Sequence, residues 1–140
     1  MYIRLADFAA NHAEIRHIRF AVFVDEQKVP EDIEIDDRDP ICIHLLALSD
    51  DDKPIGTGRI DLRASGKIGR VAVIASERRR GVGAALMEHF HGIAKEQRLT
   101  KVWCNAQVIA VPFYARLGYR ATGDRFDEAG IEHVRMEKDV

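Results

Sequence analysis

Residues 67–87 read KIGRVAVIASERRRGVGAALM, an apolar run with Ile68, Val71, Val73 and Ile74 that passes through Arg78-Arg79-Arg80 into Gly81-Val82-Gly83-Ala84. The pattern predicts a strand, a glycine-bearing turn and the start of a helix, with positive charge gathered at the turn. A helix N-terminus offers unpaired backbone N–H groups and the positive end of its dipole, so a polyanion is attracted there. Glycine at 81 and 83 would let main-chain donors close on a phosphate, and the arginines would add charge-assisted bonds. A Walker loop is excluded, because Ala84-Ala85 follow Gly83 where lysine and serine or threonine are required. A dinucleotide fingerprint fails as well, because Leu86 stands where its third glycine should be. An ordinary strand-to-helix turn with exposed arginines is the plain alternative.

Working outward, the chain alternates strand and helix patterns without a repeat or a linker. Tyr2 to Leu5 reads as a first strand. Ile15, Ile18, Val22 and Phe23 recur at helical spacing, so a helix capped by Asn11 and ending near Asp25 is expected. Pro30 and Pro40 bound an irregular acidic connection. Ile43–Leu48 and Ile55–Leu62 read as a hairpin turning at residues 50–54, and Ser65-Gly66 turns into the strand at 68–74. Val82, Leu86, Phe90 and Ile93 form one apolar helical stripe running to about Glu96. A strand at 99–106, a short helix at 111–117 with Pro112 in its first turn and Gly118 as its stop, and strands at 119–126 and 132–138 complete the chain. The fold class is α/β (α+β), a mixed central sheet of about six to seven strands with helices on both faces, one domain over residues 1–140.

With 46% hydrophobic and 31% charged residues in 140, the composition is that of a soluble globular protein. No apolar run is long enough to span a bilayer and the N-terminus lacks a leader pattern, so no membrane association and a cytoplasmic location are expected. A net charge of −2, with the basic cluster confined to one turn, argues against nucleic acid as a partner. Cys42 and Cys104 stand among apolar neighbours without metal or redox spacing, and the histidines lack ligand spacing, so no metal is expected. The acidic excess lies between Asp25 and Asp39. Most of it reads as solvated loop, with a few carboxylates left to face a small cationic substrate.

The turn fits Arg-x-x-Gly-x-Gly/Ala after a Val-Ala-Val strand, and this resembles motif A of the GCN5-related N-acetyltransferases. Val111-Pro112-Phe113-Tyr114-Ala115-Arg116-Leu117-Gly118-Tyr119 is similar to the family's motif B. Phe20 to Pro30, Glu34 to Asp39, His44, Ala106-Gln107 and Glu128 to Met136 resemble a branch of small bacterial acetyltransferases typified by ElaA and YjcF. The resemblance covers nearly the whole chain. It implies acetyl-CoA as donor, with Arg78, Arg80, Gly81, Val82, Gly83 and Ala84 around its pyrophosphate and Arg79 in solvent. It implies that Val71 and Val73 offer backbone groups to the pantetheine arm and acetyl carbonyl, that the strand splays from its neighbour there, and that Asn105 lies on the far side. It also implies that Tyr114 assists the leaving thiolate.

An attacking ammonium must first lose a proton. Glu26, His44 and His133 are the candidate bases, Glu26 foremost because it stands where helix and acidic loop meet. Each has a plain structural alternative: a local ion pair for Glu26, a hydrogen-bonded strand residue for the histidines. The expected activity is acetyl transfer to a primary amine of a small molecule or peptide by direct attack on the thioester. A CoA-binding regulatory or scaffold domain without turnover, and a small nucleotide-binding module, stand beside it. Family members are often dimers, and the spacing of surface residues leaves a homodimer open.

Overall fold

The computed structural model describes residues 1–140. Strands β1 (Tyr2–Ala6), β2 (Ile43–Leu48), β3 (Pro54–Asp61) and β4 (Lys67–Val73) pair antiparallel in that order. Strands β5 (Lys101–Gln107), β6 (Arg120–Glu128) and β7 (Ile131–Asp139) form a second antiparallel set with β7 in the middle. The two sets join into one seven-stranded mixed sheet, β1-β2-β3-β4-β5-β7-β6, through a parallel contact of β4 with β5.

Helices lie on both faces. On one, α3 (Val82–Glu96) buries Leu86, Met87, Phe90 and Ala94 against Leu45, Ile60, Ile68 and Val102. Close approach requires glycine on β3: a Cβ at Gly56 would stand 2.9 Å from Val82 Cγ1, and one at Gly58 would stand 2.8 Å from Phe90 Cε2. The short α4 (Val111–Arg116) packs beside α3, with Pro112 in its first turn as expected. Gly118, at φ +94°, turns the chain out of it. On the other face α1 (His12–Arg19) sets Ile15 and Ile18 on Leu46 and Ala72.

Three expectations from sequence need correction. The first helix leaves α geometry at Phe20 and continues as a π-helix to Glu26, so only its first eight residues are α-helical. Asn11 caps no helical N–H: its Oδ1 accepts from the Asp7 amide at 3.1 Å and its Nδ2 donates to Glu14 at 3.0 Å. The acidic connection is solvated at most of its carboxylates, Asp25, Glu26, Glu31, Asp32 and Asp37 being exposed, but those that turn inward meet arginines instead of facing a cationic substrate. It folds into a turn of helix α2 (Glu31–Glu34) and a 3₁₀ turn (Asp39–Ile41), and turns Glu34 and Asp39 inward until both are fully buried.

There they meet Arg19, which is 1% exposed. Arg19 donates to both Glu34 carboxylate oxygens and the Glu34 carbonyl, and at 2.7 Å to Asp39 Oδ1. Arg59 bonds Asp39 and Asp36, Arg38 pairs with Asp61, and Arg70 reaches Asp36 at 3.3 Å. Four arginines thus meet four carboxylates, while Asp25, Glu31, Asp32 and Asp37 stay exposed without an arginine or lysine partner. Burial alone would raise the Asp36 carboxyl. The hydrogen bond and charge of Arg59, then Arg70, outweigh it and bring the group down to about 2. Asp39 is likewise held low, burial being overcome by Arg19.

Removing one member of a buried ion cluster strands its partners, which costs about 3–5 kcal/mol. Arg19→Met should therefore lower the urea-unfolding free energy by roughly that amount at neutral pH. Both aspartates have folded pKa values below the ordinary 3.8. Their stabilisation is complete above that value and lost as pH falls through the folded pKa, so the urea midpoint should drop steeply between about pH 4 and pH 2. Asp36→Asn should flatten that drop; an unchanged slope would remove Asp36 from the account.

Candidate active site: a cleft where the sheet divides

β4 and β5 share a single register pair, Lys67 with Trp103, and Trp103 N–H donates to Gly66 O at 3.2 Å. Beyond that point they part and leave a cleft of about 1190 Å³. A bulge sharpens the divergence. Arg59 pairs with Gly69 and Thr57 with Ala72, so Arg70 and Val71 together face Gly58, with Arg70 at φ +51°. The Ile74 amide bonds Ile55 O, so by the alternation of an antiparallel ladder the polar groups of Val73 turn away from β3 and toward the cleft. Val71 and Val73 both line it.

α3 begins at the cleft mouth. Its first backbone bond runs from Ala85 N–H to Gly81 O, so the N–H groups of Val82, Gly83 and Ala84 have no protein acceptor, and no side chain caps them. Gly81 adopts φ +80°, the left-handed region, which is its reason for being glycine. Gly83 has another: a Cβ there would lie 3.3 Å from Phe113 Cζ and 3.9 Å from Val73 Cγ2. No acidic residue occupies the first turn. Open donors, a positive helix end and absent side chains fit a diphosphate.

The three exposed arginines have different partners. Arg78 donates from Nε to Val73 O at 3.0 Å and from both terminal nitrogens to Glu26 at 2.9 and 2.8 Å. Glu26 is thereby engaged as a bidentate anchor at the end of the π-helix, outside the cleft lining. Arg80 turns away to Glu77, and Arg79 lines the cleft without a carboxylate partner.

The far wall is β5 and α4. Asn105 and Gln107 lie on the face of β5 opposite the buried Val102, Cys104 and Ala106, and both line the cleft. Gln107 exchanges amide bonds of 2.8 and 3.3 Å with Gln27 at the end of the π-helix, a bridge across the opening that sequence inspection missed. Two glutamines eighty residues apart leave no local signal. Tyr114 lines the cleft with its ring set edge-on to Phe113 and Tyr119. Burial pushes its phenol well above the ordinary range, so it is a protonated donor. Burial also pushes the Cys104 thiol up to about 12, so the one cysteine on this wall is no thiolate nucleophile.

His133 lines the cleft from β7, stacked on Phe126, and its Nδ1 sits 2.7 Å from Ile131 O. That bond makes Nδ1 the donor, and Nε2 lies 3.6 Å from a Glu128 carboxylate oxygen. His44 is remote from this chemistry. It is 1% exposed, held by Asp39 O at 2.8 Å and stacked on Phe8. No three His, Cys, Asp or Glu side chains are grouped to hold a metal, and no helix is long and apolar enough to cross a membrane.

A seven-stranded mixed sheet divided about a cleft, with an uncapped helix at its mouth, is the architecture of the N-acetyltransferase fold. The family model for the acetyltransferase (GNAT) domain matches residues 6–140, and the chain belongs to that family of N-acetyltransferases, which use acetyl-CoA. It is similar to the uncharacterized N-acetyltransferase YjcF of Bacillus subtilis (strain 168), 37% identical over 139 residues, 96% of this chain and 99% of that one. Among solved structures, Escherichia coli ElaA matches with a TM-score of 0.87 at 25% identity over 99% of both chains. An acyl-CoA N-acyltransferase from Pseudomonas aeruginosa matches with a TM-score of 0.85 at 28% identity over 99% of both chains.

Gly83→Val should weaken acetyl-CoA binding by about tenfold or more, because the new side chain meets Phe113 and displaces the first turn of α3. Isothermal titration reads it, and unchanged affinity would remove the turn from cofactor binding.

Proposed function

We propose that the protein transfers an acetyl group from acetyl-CoA to a primary amine by direct attack of the amine on the thioester. The observation that carries this reading is the open N-terminus of α3 at the mouth of the β4–β5 cleft, with a protonated phenol, Tyr114, on the opposite wall. In this reading the N–H groups of Val82, Gly83 and Ala84 hold the pyrophosphate, with Gly81 shaping the turn. Arg79 supplies the free charge. Arg78 acts at one remove: tied to Glu26 and to Val73 O, it fixes the loop against the strand. Arg80, turned toward Glu77, adds only long-range attraction.

Val71, in the bulge, and Val73 turn main-chain groups to the pantetheine arm and the acetyl oxygen, and Asn105 faces the arm from β5. Tyr114 donates its proton toward the sulfur as the thiolate leaves. Nε2 of His133 accepts the proton of the attacking ammonium, with Glu128 beside it to stabilise the imidazolium; this is a better-placed base than Glu26, whose carboxylate is committed to Arg78. Protonated Cys104 supports direct transfer over an acyl-cysteine route. A donor made in the cytoplasm fits a cytoplasmic site of action.

Titration with acetyl-CoA, CoA and ATP, followed by an amine screen with thiol-release detection, tests the reading. CoA-selective binding with amine-dependent thiol release supports it; CoA-selective binding with no turnover on any amine would favour a scaffold role. Tyr114→Phe should lower kcat by about 10²-fold while leaving acetyl-CoA affinity near its original value. His133→Gln should depress kcat more than Glu26→Gln does, and the reverse order would return the base to Glu26.

A further inference from the structure

The cleft continues past the division of the strands onto an open part of the sheet. Trp103, Asn105 and Gln107 of β5 share that face with Arg135 and His133 of β7, their register partners being Asn105 with Arg135 and Gln107 with His133. α1 packs on β3 and β4, while Arg135 on the second half of the sheet stays exposed.

The carboxylates along the cleft are matched one by one. Glu34 meets Arg19, Asp36 meets Arg59, Asp61 meets Arg38 and Glu77 meets Arg80. Glu128 alone has no arginine or lysine and stands by His133. Three cleft-lining cations have no carboxylate within 4.0 Å: Arg79 and Arg116 on the α3–α4 side, and Lys67. Lys67 begins β4, seven residues and roughly 20 Å of strand from the turn that holds the phosphates in the proposed function. The residue across from it on β3, Asp61, gives its carboxylate to Arg38 and to the Arg63 and Ala64 amides.

Lys67 has a companion. Its Nζ lies 5.3 Å from the centroid of the Trp103 ring, and the Arg135 guanidinium lies 3.9 Å from the same centroid. They come from the two strands that flank β5, and Arg135 also has neither an ion pair nor a hydrogen bond to the protein. The ring is pinned by Nε1–H donating to Ala64 O at 2.8 Å. Two cations held against a fixed indole, neither with a carboxylate or a hydrogen bond in the protein, leave their N–H donors open to an anion. From Trp103 to Gln107 is four residues of strand, roughly 13 Å, and from Arg135 to His133 is two, roughly 7 Å.

We propose that the acceptor carries an anionic group, a carboxylate or a phosphate, roughly 7–13 Å from the amine that is acetylated, and that Lys67 and Arg135 bind it beside Trp103. This rests on the proposed function, which puts the amine at His133 and Glu128. The unpaired charges then match the substrate end for end: carboxylate for the amine, cations for the anion. An ω-amino acid, or a peptide amine with an acidic group farther along, satisfies it. A diamine of the same length does not, because its second ammonium would meet Lys67 and Arg135.

The test compares kcat/KM for 8-aminooctanoate, 6-aminohexyl phosphate and 1,8-diaminooctane on one preparation, so that loss of folded enzyme cancels in the ratios. The wild type should prefer the anionic amines to the diamine by about tenfold or more, and K67Q/R135Q should reduce that to about threefold or less. Comparison of the carboxylate with the phosphate distinguishes the two anion sources. A diamine used as well as the anionic amines, or a preference unmoved in the double variant, would overturn the inference and leave the acetyltransferase reading standing. If no amine at all is acetylated, that reading falls. The seat is then read by itself from the fluorescence of Trp103, the only tryptophan: saturable change with 8-aminooctanoate and none with the diamine upholds it, and no change with either overturns it.

Discussion

A sheet in which two adjacent strands stop pairing must do something with the backbone groups it leaves open, because buried N–H and C=O groups without partners are costly. Here one register pair, Lys67 with Trp103, closes the seam, and everything beyond it is cleft wall. Part of the exposed edge is satisfied from within: Val73 O takes Arg78 Nε, and Arg78 is steadied by Glu26. The remainder is available to a ligand. The seam also explains why the two helical layers are unequal. α3 and α4 close the face on which both halves of the sheet share one core, whereas α1 covers only the first half, β2 to β4, and leaves the second half of its face open.

The layer under α1 solves a different problem. It has few apolar residues, Ile15, Ile18 and Val22 with Leu46 and Ala72, and fills the rest of the gap with an ionic cluster centred on Arg19 and Asp39. Such a cluster gives directional, interlocking contacts among α1, α2, the 3₁₀ turn and β3, at a desolvation cost that only near-complete pairing offsets. The pairing has an electrostatic consequence. Of the eight acidic residues between 25 and 39, the two that line the cleft, Glu34 and Asp36, are each matched by arginine, and the charges left free along the cleft are few enough to be assigned one at a time.

Most of the fold was legible from the chain. β-strand alternation, the stripe Val82-Leu86-Phe90-Ile93 and the glycines at 81 and 118 carry their structural meaning locally, and the motif turn lies where the sequence puts it. Which carboxylates of the acidic connection turn inward was not legible, because pairing with Arg19, Arg59 and Arg70 is long-range, and a run of carboxylates looks the same in solvent or in a cluster. The π-helical step at Phe20 has no periodicity signal, since Ile15, Ile18 and Val22 suit an α-helix well. Within the site, the places of Val71 and Val73 on the cleft wall follow strand position, but which of three consecutive arginines faces the cleft depends on a turn with Arg79 at φ +65°.

Arg70 carries a double burden. Its backbone sits at φ +51° in the bulge, a conformation that L side chains occupy at a cost, and its guanidinium is desolvated enough to lower its pKa while its carboxylate contacts remain at 3.3 and 3.6 Å. Glycine would relieve the backbone and an apolar side chain the desolvation, but either would withdraw a guanidinium from Glu34 and Asp36. Strain in the strand that turns Val71 toward the cleft is thereby held in place by the charge pairing under α1.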